Sequence, residues 1–231
     1  MAVILRIDVD SPYGKKNLFN HLLSRISSDF DLPPIVFSSY LEYLNTFIKY
    51  LNNRSIQGNF FFRKCTLPAK GVLNLLHEGK HVIGLHLENS RSLDTFKSEV
   101  EIMENCINEK VEVFSKHGSG KHKYGYYHYP YYEPEKYLKW GSLLGMKIFY
   151  GNLEDPAISS LYTNEGLIFF PSAFWLEPHW RNTTLYNINW LIREARSRDV
   201  VLLIHVENII VNKVFFHELE LIFNNSQIKI L

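Results

Sequence analysis

The chain is 231 residues long, 46% hydrophobic and 21% charged, with 25 Lys+Arg against 24 Asp+Glu for a net charge of +1. That length and apolar content exclude intrinsic disorder and support a core that needs no disulfide or structural metal. The balanced charge argues against a general electrostatic grip on nucleic acid or anionic lipid, and no apolar run approaches the ~18 residues of a membrane span.

The first ten residues, ending Ile7-Asp8-Val9-Asp10, have no basic segment and no long apolar segment. They read as a first strand, not a secretory signal. Only Cys65 and Cys106 occur, without metal-type spacing, so the expectation is a reduced, cytoplasmic protein. Further strand-like runs follow at 57–62, 81–86, 111–115, 146–150, 166–170 and 199–205, after the first at 3–9, with a last one at 227–231. Helical patterns lie between them at 15–28, 39–53, 68–78, 92–108, 134–145, 184–197 and 213–224. Gly79 and Gly145 stand where two helices should stop. Runs such as Val200-Val201-Leu202-Leu203-Ile204 are apolar on both faces, as buried parallel strands are. This alternation predicts an α/β fold, an incomplete or distorted (β/α) barrel of about seven parallel strands forming one domain over residues 1–231. An open doubly wound sheet is the second choice. The irregular stretch 116–133 is rich in Tyr and Gly, and reads either as a surface that stacks on sugars or as a lid packing its own rings.

Chemistry-bearing residues collect at the ends of the strands. Asp8 and Asp10 close the first strand, His86 the third, His205 the 199–205 strand, and His117 follows the 111–115 strand. In a parallel barrel those ends share one rim, where active sites form. Carboxylate and imidazole suit zinc or a similar divalent ion. Asp8 and Asp10, two apart on a strand, point the same way. A rival motif is His77-Glu78-Gly79-Lys80-His81, which matches the zinc-protease pattern H-E-x-x-H. That reading needs one helix to run through Gly79, whereas His81 onward reads as a strand.

The order of several short motifs resembles the polysaccharide deacetylases, the carbohydrate esterase superfamily that includes chitooligosaccharide deacetylases. The motifs are Ile7-Asp8-Val9-Asp10-Ser11-Pro12, Gly58-Asn59-Phe60-Phe61-Phe62, Glu78 to His86, and Val201-Leu202-Leu203-Ile204-His205. The chain departs from the pattern at Ser90, which stands where the family has its second metal histidine. The family's Arg-Pro-Pro-Tyr segment, near Ser115 to Gly118, and its later Asp-Trp pair have no counterpart. The resemblance implies a metal-dependent hydrolase that removes an acetyl group from an N- or O-acetylated sugar or polysaccharide precursor. It implies a divalent metal, zinc by preference, on Asp10, His86 and a third ligand, for which His117 is the first choice ahead of His128 and Glu88. Asp8 would then be the general base and His205 the general acid, although the two aspartates could exchange roles. Tyr131, Trp180 and Arg181 are the residues expected to line a sugar pocket. Ser90 also leaves room for a glycan-binding protein that has lost the chemistry. Smaller expectations are Ser90 and Asn182 as helix N-caps, His21 and His217 on helix surfaces, and Lys121-His122-Lys123 as a solvated loop tip.

Overall fold

Seven consecutive residues, Val3–Val9, are buried and form β1, the strand from which the sheet grows both ways. The computed structural model describes residues 1–13, 18–30, 32, 41–118, 128–158, 161–162 and 166–231. After β1 come α1 (Leu18–Phe30), α2 (Leu41–Asn53), β2 (Asn59–Phe62), α3 (Lys70–Glu78) and β3 (Val82–Leu87). Next are α4 (Leu93–Ile107), β4 (Val113–Lys116), α5 (Pro134–Leu143), β5 (Ile148–Leu153), β6 (Leu161–Tyr162) and β7 (Ile168–Ser172). The chain ends with β8 (Phe174–Trp175), α6 (Ile188–Glu194), β9 (Val200–His205), α7 (Val206–Val211), α8 (Lys213–Asn225) and β10 (Ile228–Lys229).

The strand order is β6-β7-β5-β4-β3-β2-β1-β9-β8, with β10 beside the start of β1. All pairings are parallel except β6 with β7. One covalent fact closes the sheet. β7 ends at Ser172 on one side of that order and β8 begins at Phe174 on the other, so Ala173 alone separates the two ends. Eight parallel strands must therefore curl almost shut. The alternation along β1 shows the result: Val3, Leu5, Ile7 and Val9 pack in the large cluster shared with the helices. Ile4 instead joins Phe61, Ile148, Phe170 and Leu203 in a separate cluster that fills the barrel.

The near-barrel is the expected architecture, with eight parallel strands where about seven were read. β8 escapes the sequence pattern because Ala173 alone separates Phe174-Trp175 from the end of β7, and a one-residue break leaves no periodic trace. Two caps also differ. Ser92, not Ser90, caps α4, accepting the Thr95 N–H at 3.2 Å, while Ser90 is buried against the Tyr137 hydroxyl at 3.1 Å. Asn187 caps α6, accepting from Trp190 N–H at 2.9 Å. Asn182 instead closes the turn before it, accepting from the Thr184 N–H at 3.1 Å.

The H-E-x-x-H motif is broken by the backbone. α3 ends at Glu78, and Lys80 takes a left-handed φ of 54°, so no single helix face carries both imidazoles. His77 lies at the surface, its Nε2 3.4 Å from Glu109. His81 is buried: its Nδ1 accepts the Gly58 N–H at 3.1 Å and its Nε2 donates to Asn52 Oδ1 at 2.7 Å. The zinc-protease reading falls with the helix it required.

This pattern of bonds needs a neutral His81, and burial pushes its pKa down to about 4. A histidine with a depressed folded pKa contributes stability that is whole above pH ~6.5 and is lost as the pH falls toward 4. Urea unfolding of His81→Gln should therefore lose less stability than the wild type between pH 7 and 4, by up to about 3 kcal/mol. Equal pH slopes in the two proteins would contradict the assignment.

Candidate active site

Strand register lifts the functional side chains to one rim. Asp8 pairs with His205 across β1 and β9, and His86 with Ser115 across β3 and β4. Asp10 lies two residues beyond Asp8, just past the end of β1, and His117 just past the end of β4. β1, β3, β4 and β9 thus deliver Asp8, Asp10, His86, His117 and His205 to a cleft of about 280 Å³ at their C-terminal ends.

Below the cleft, Arg6 is buried inside the barrel. Its guanidinium holds both carboxylate oxygens of Asp8, Nε to Oδ1 at 3.0 Å and Nη2 to Oδ2 at 2.7 Å. The remaining donors reach the carbonyl of Gly151 at 2.7 Å and Asn152 Oδ1 at 3.0 Å. A buried charge is tolerated only when so paired. Asp8 is thereby fixed in place, with Oδ2 3.5 Å from His86 Nε2.

Three ligand atoms converge above it. Asp10 Oδ1 lies 3.0 Å from His86 Nε2 and 3.3 Å from His117 Nδ1, and the two ring nitrogens are 3.1 Å apart. Ligands bonded tetrahedrally at ~2.0–2.1 Å would stand about 3.3 Å from one another, so the triangle is the size zinc demands. The donor set fits in chemistry as well. Among the described residues, buried Asp10 Oδ1 meets no hydrogen-bond donor at a proper angle. The Ser115 hydroxyl, 2.7 Å from His86 Nδ1, fixes that ring and leaves Nε2 turned into the triangle. Burial, aided by the Arg63 charge, holds His117 well below its ordinary pKa, so its imidazole is neutral. Burial opposes the ionised form of Asp10, yet the imidazoles of His117 and His86 keep its pKa well below the usual carboxylate value. A neutral imidazole and an ionised carboxylate are the forms that bind a cation.

On the far side of Asp10, His205 Nε2 is 3.6 Å from Asp10 Oδ2, and its Nδ1 is 2.9 Å from Glu177 Oε1. Burial lowers its pKa, but the carboxylates of Glu177, Asp10 and Glu207 outweigh burial and push it up to about 10. Glu177 is steadied by Asn208 Nδ2 at 2.7 Å. Trp175 and Trp180 line the cleft beside His205, their ring centroids 5.7 Å apart.

The other expected residues part company here. Trp180 lines the cleft, whereas Tyr131 is 65% exposed and is absent from its walls. Arg181 turns to the Trp175 carbonyl at 2.9 Å and the Phe174 ring at 4.4 Å, so it braces the wall from behind. Glu88 is bound through both oxygens by Arg63, at 3.2 and 2.5 Å. His128 packs edge-on to His117 with centroids 5.5 Å apart, and burial pushes its pKa down to about 3. Glu88, His117 and His128 also lie close enough to share an ion, but the Arg63 cation already occupies Glu88. Lys116 is fully buried, its Nζ donating to the carbonyls of His117 (2.6 Å), Gly118 (3.2 Å) and Tyr129 (2.8 Å). It ties together the two ends of the Tyr-rich stretch, whose residues 119–127, with Lys121-His122-Lys123, lie outside the described residues. Arg6, Ser115 and Trp175 were not singled out from sequence. Arg6 could have been found, because it shares the inward face of β1 with Ile4 and Asp8.

The chain is similar to the solved structure of Puue allantoinase, with a TM-score of 0.59 and 10% identity over 96% of this chain and 83% of that one. It is also similar to a probable polysaccharide deacetylase from Pseudomonas aeruginosa, with a TM-score of 0.55 and 8% identity over 96% of this chain and 83% of that one. A CE4 family pseudoenzyme from Bacillus anthracis matches at a TM-score of 0.48 and 12% identity over 98% of this chain, which spans 62% of the length of that structure. No protein-family model matches the chain, and no curated protein matches it in sequence. The chain has the fold of the first two structures.

The Arg6–Asp8 pair yields a prediction. Arg6→Met leaves a buried carboxylate unpaired and should cost about 3–5 kcal/mol in urea unfolding, while Arg6→Met with Asp8→Asn should recover much of that loss. A single variant as stable as the wild type would show that the pair does not support the barrel.

Proposed function

We propose that the protein is a metal-dependent hydrolase of the polysaccharide deacetylase type, removing an acetyl group from an N- or O-acetylated sugar. The observation that carries this reading is the triangle of Asp10, His86 and His117, set between the fixed carboxylate of Asp8 and the imidazole of His205. When bound there, a divalent cation such as zinc would polarise the acyl carbonyl and make water a stronger nucleophile at neutral pH.

The rest of the chemistry belongs to side chains. Asp8, held through both oxygens by Arg6 and lining the cleft, accepts the proton of the attacking water. His205 keeps Nε2 toward Asp10 while Glu177 holds Nδ1, so it can deliver a proton to the departing nitrogen or oxygen. The indoles of Trp175 and Trp180 present apolar faces of the kind that sugar rings stack against. A cleft of about 280 Å³ sits at the small end of ligand cavities and suits one sugar unit with its acyl group.

Ser90 does not abolish the site in this reading. Its hydroxyl is committed to Tyr137, and His117 from the neighbouring strand completes the ligand set that the family draws from a second histidine after β3. Acetate release from acetylated mono- and oligosaccharides should be abolished by a chelator and restored by zinc. Asp8→Asn and His205→Asn should each lower kcat by about 10²–10⁴. If the zinc-loaded wild type binds acetylated sugars yet releases no acetate from any of them, the glycan-binding alternative replaces the enzyme.

A further inference from the structure

The sheet ladder stops just short of the triangle of Asp10, His86 and His117. β1 pairs with β2 as far as Val9 and Phe62, and β2 with β3 as far as Phe62 and Leu85. Asp10 and His86 thus belong to the ends of two strands that do not pair, with β2 between them. The residue that follows β2 spans the gap with its side chain. Arg63 is 4% exposed and grips in two directions. Toward β3, Nε and Nη2 hold the carboxylate of Glu88, two residues after His86, at 3.2 and 2.5 Å. Toward β1, Nη1 donates to the Asp10 carbonyl at 2.7 Å. Nη2 also reaches Ser28 Oγ of α1, a helix that turns Ser24, Ser27 and Ser28 inward and leaves Leu18, Phe19 and Leu22 exposed. Thr66 completes the corner. It is fully buried, and its Oγ1 donates to the Val9 carbonyl at 2.7 Å and accepts the Arg63 N–H at 2.9 Å. Glu88 is anchored in turn from α4, where Glu99 accepts the N–H groups of Glu88 and Asn89 at 2.9 and 2.8 Å. One turn, Arg63 to Thr66, therefore holds two consecutive carbonyls at the end of β1 and the segment that follows His86.

We propose that Arg63 and Thr66 are positioning residues that set the distance between Asp10 and His86, and with it the size of cation that the triangle accepts. The inference rests on the metal-centre reading above. Asp10 stands one residue past the end of β1. Without these bonds its backbone would be free to carry Oδ1 away from His86 Nε2, 3.0 Å distant. Ligands held this close suit the ~2.0–2.1 Å bonds of zinc and disfavour the longer bonds of a larger divalent cation such as cadmium. The planar fork of the guanidinium matters here. Nε and Nη2 face Glu88 while Nη1 faces Asp10, a span that the single ammonium of a lysine does not cover in both directions.

Titration of the full chain with zinc, and separately with cadmium, in competition with a chromophoric chelator tests the inference without any substrate. Arg63→Lys keeps a cation beside Glu88 but loses the two-way grip. It should bind zinc about 10–100-fold more weakly than the wild type, with a smaller loss for cadmium, at an unchanged melting temperature before metal is added. Should the lysine variant melt early, Thr66→Val serves in its place, with the same expected shift in preference. A general loosening of the fold would weaken both cations alike. Wild-type affinity for zinc in the variants, or equal losses for the two cations, overturns the inference and leaves the metal centre standing. A wild type that takes up neither cation overturns both.

Discussion

Burying carboxylates at the mouth of a barrel is costly unless each meets a compensating charge, and the layout of the rim follows from how that cost is met. Asp8 has Arg6, Glu88 has Arg63, and Glu177 has His205 and Asn208. Asp10 differs. Its Oδ1 faces two imidazole nitrogens, one on a histidine that burial keeps neutral. The charge missing at that oxygen is the charge a divalent cation would bring, and the spacing of the three atoms fits one.

That arrangement depends on the sheet curling. Parallel strands offer the rim only their last residues, and an open sheet would leave β9 and β4 too far apart to face one another. Ala173, joining the outermost parallel strand on one side of the sheet to the last strand on the other, leaves β7 and β8 no room to separate. The apolar cluster inside the barrel then forms a floor on which Arg6 and Asp8 rest, with Phe61 5.8 Å below the guanidinium. Packing, charge pairing and ligand geometry are consecutive layers of one stack.

Much of this was legible in the sequence because strand ends and barrel rims coincide. Asp8, Asp10, His86, His117 and His205 are each recognisable as a polar residue closing an apolar run, and period-two alternation puts both aspartates on one face. What escaped has equally physical reasons. Arg6 sits inside an apolar strand and looks like a solvent-facing residue until the strand is known to be buried on both sides. Trp175 and β8 follow β7 with Ala173 alone between them, too short a break to mark a new strand. Tyr131 and Arg181 stand out only as members of local aromatic and basic clusters, which tell nothing of direction: one ring faces solvent, and the guanidinium faces backbone. α1 shows the limit most plainly, since an apolar stripe predicts a helix but not that the stripe faces away from the core.

In the proposed function, Asp10, His86 and His117 form a metal centre in place of one that would have used the position of Ser90. Anomalous diffraction at the zinc edge, from crystals grown with zinc, tests it most directly. One strong peak is expected about 2.0–2.2 Å from an Asp10 oxygen, His86 Nε2 and His117 Nδ1. No peak there, or a peak held by Glu88 and His128 instead, would contradict it.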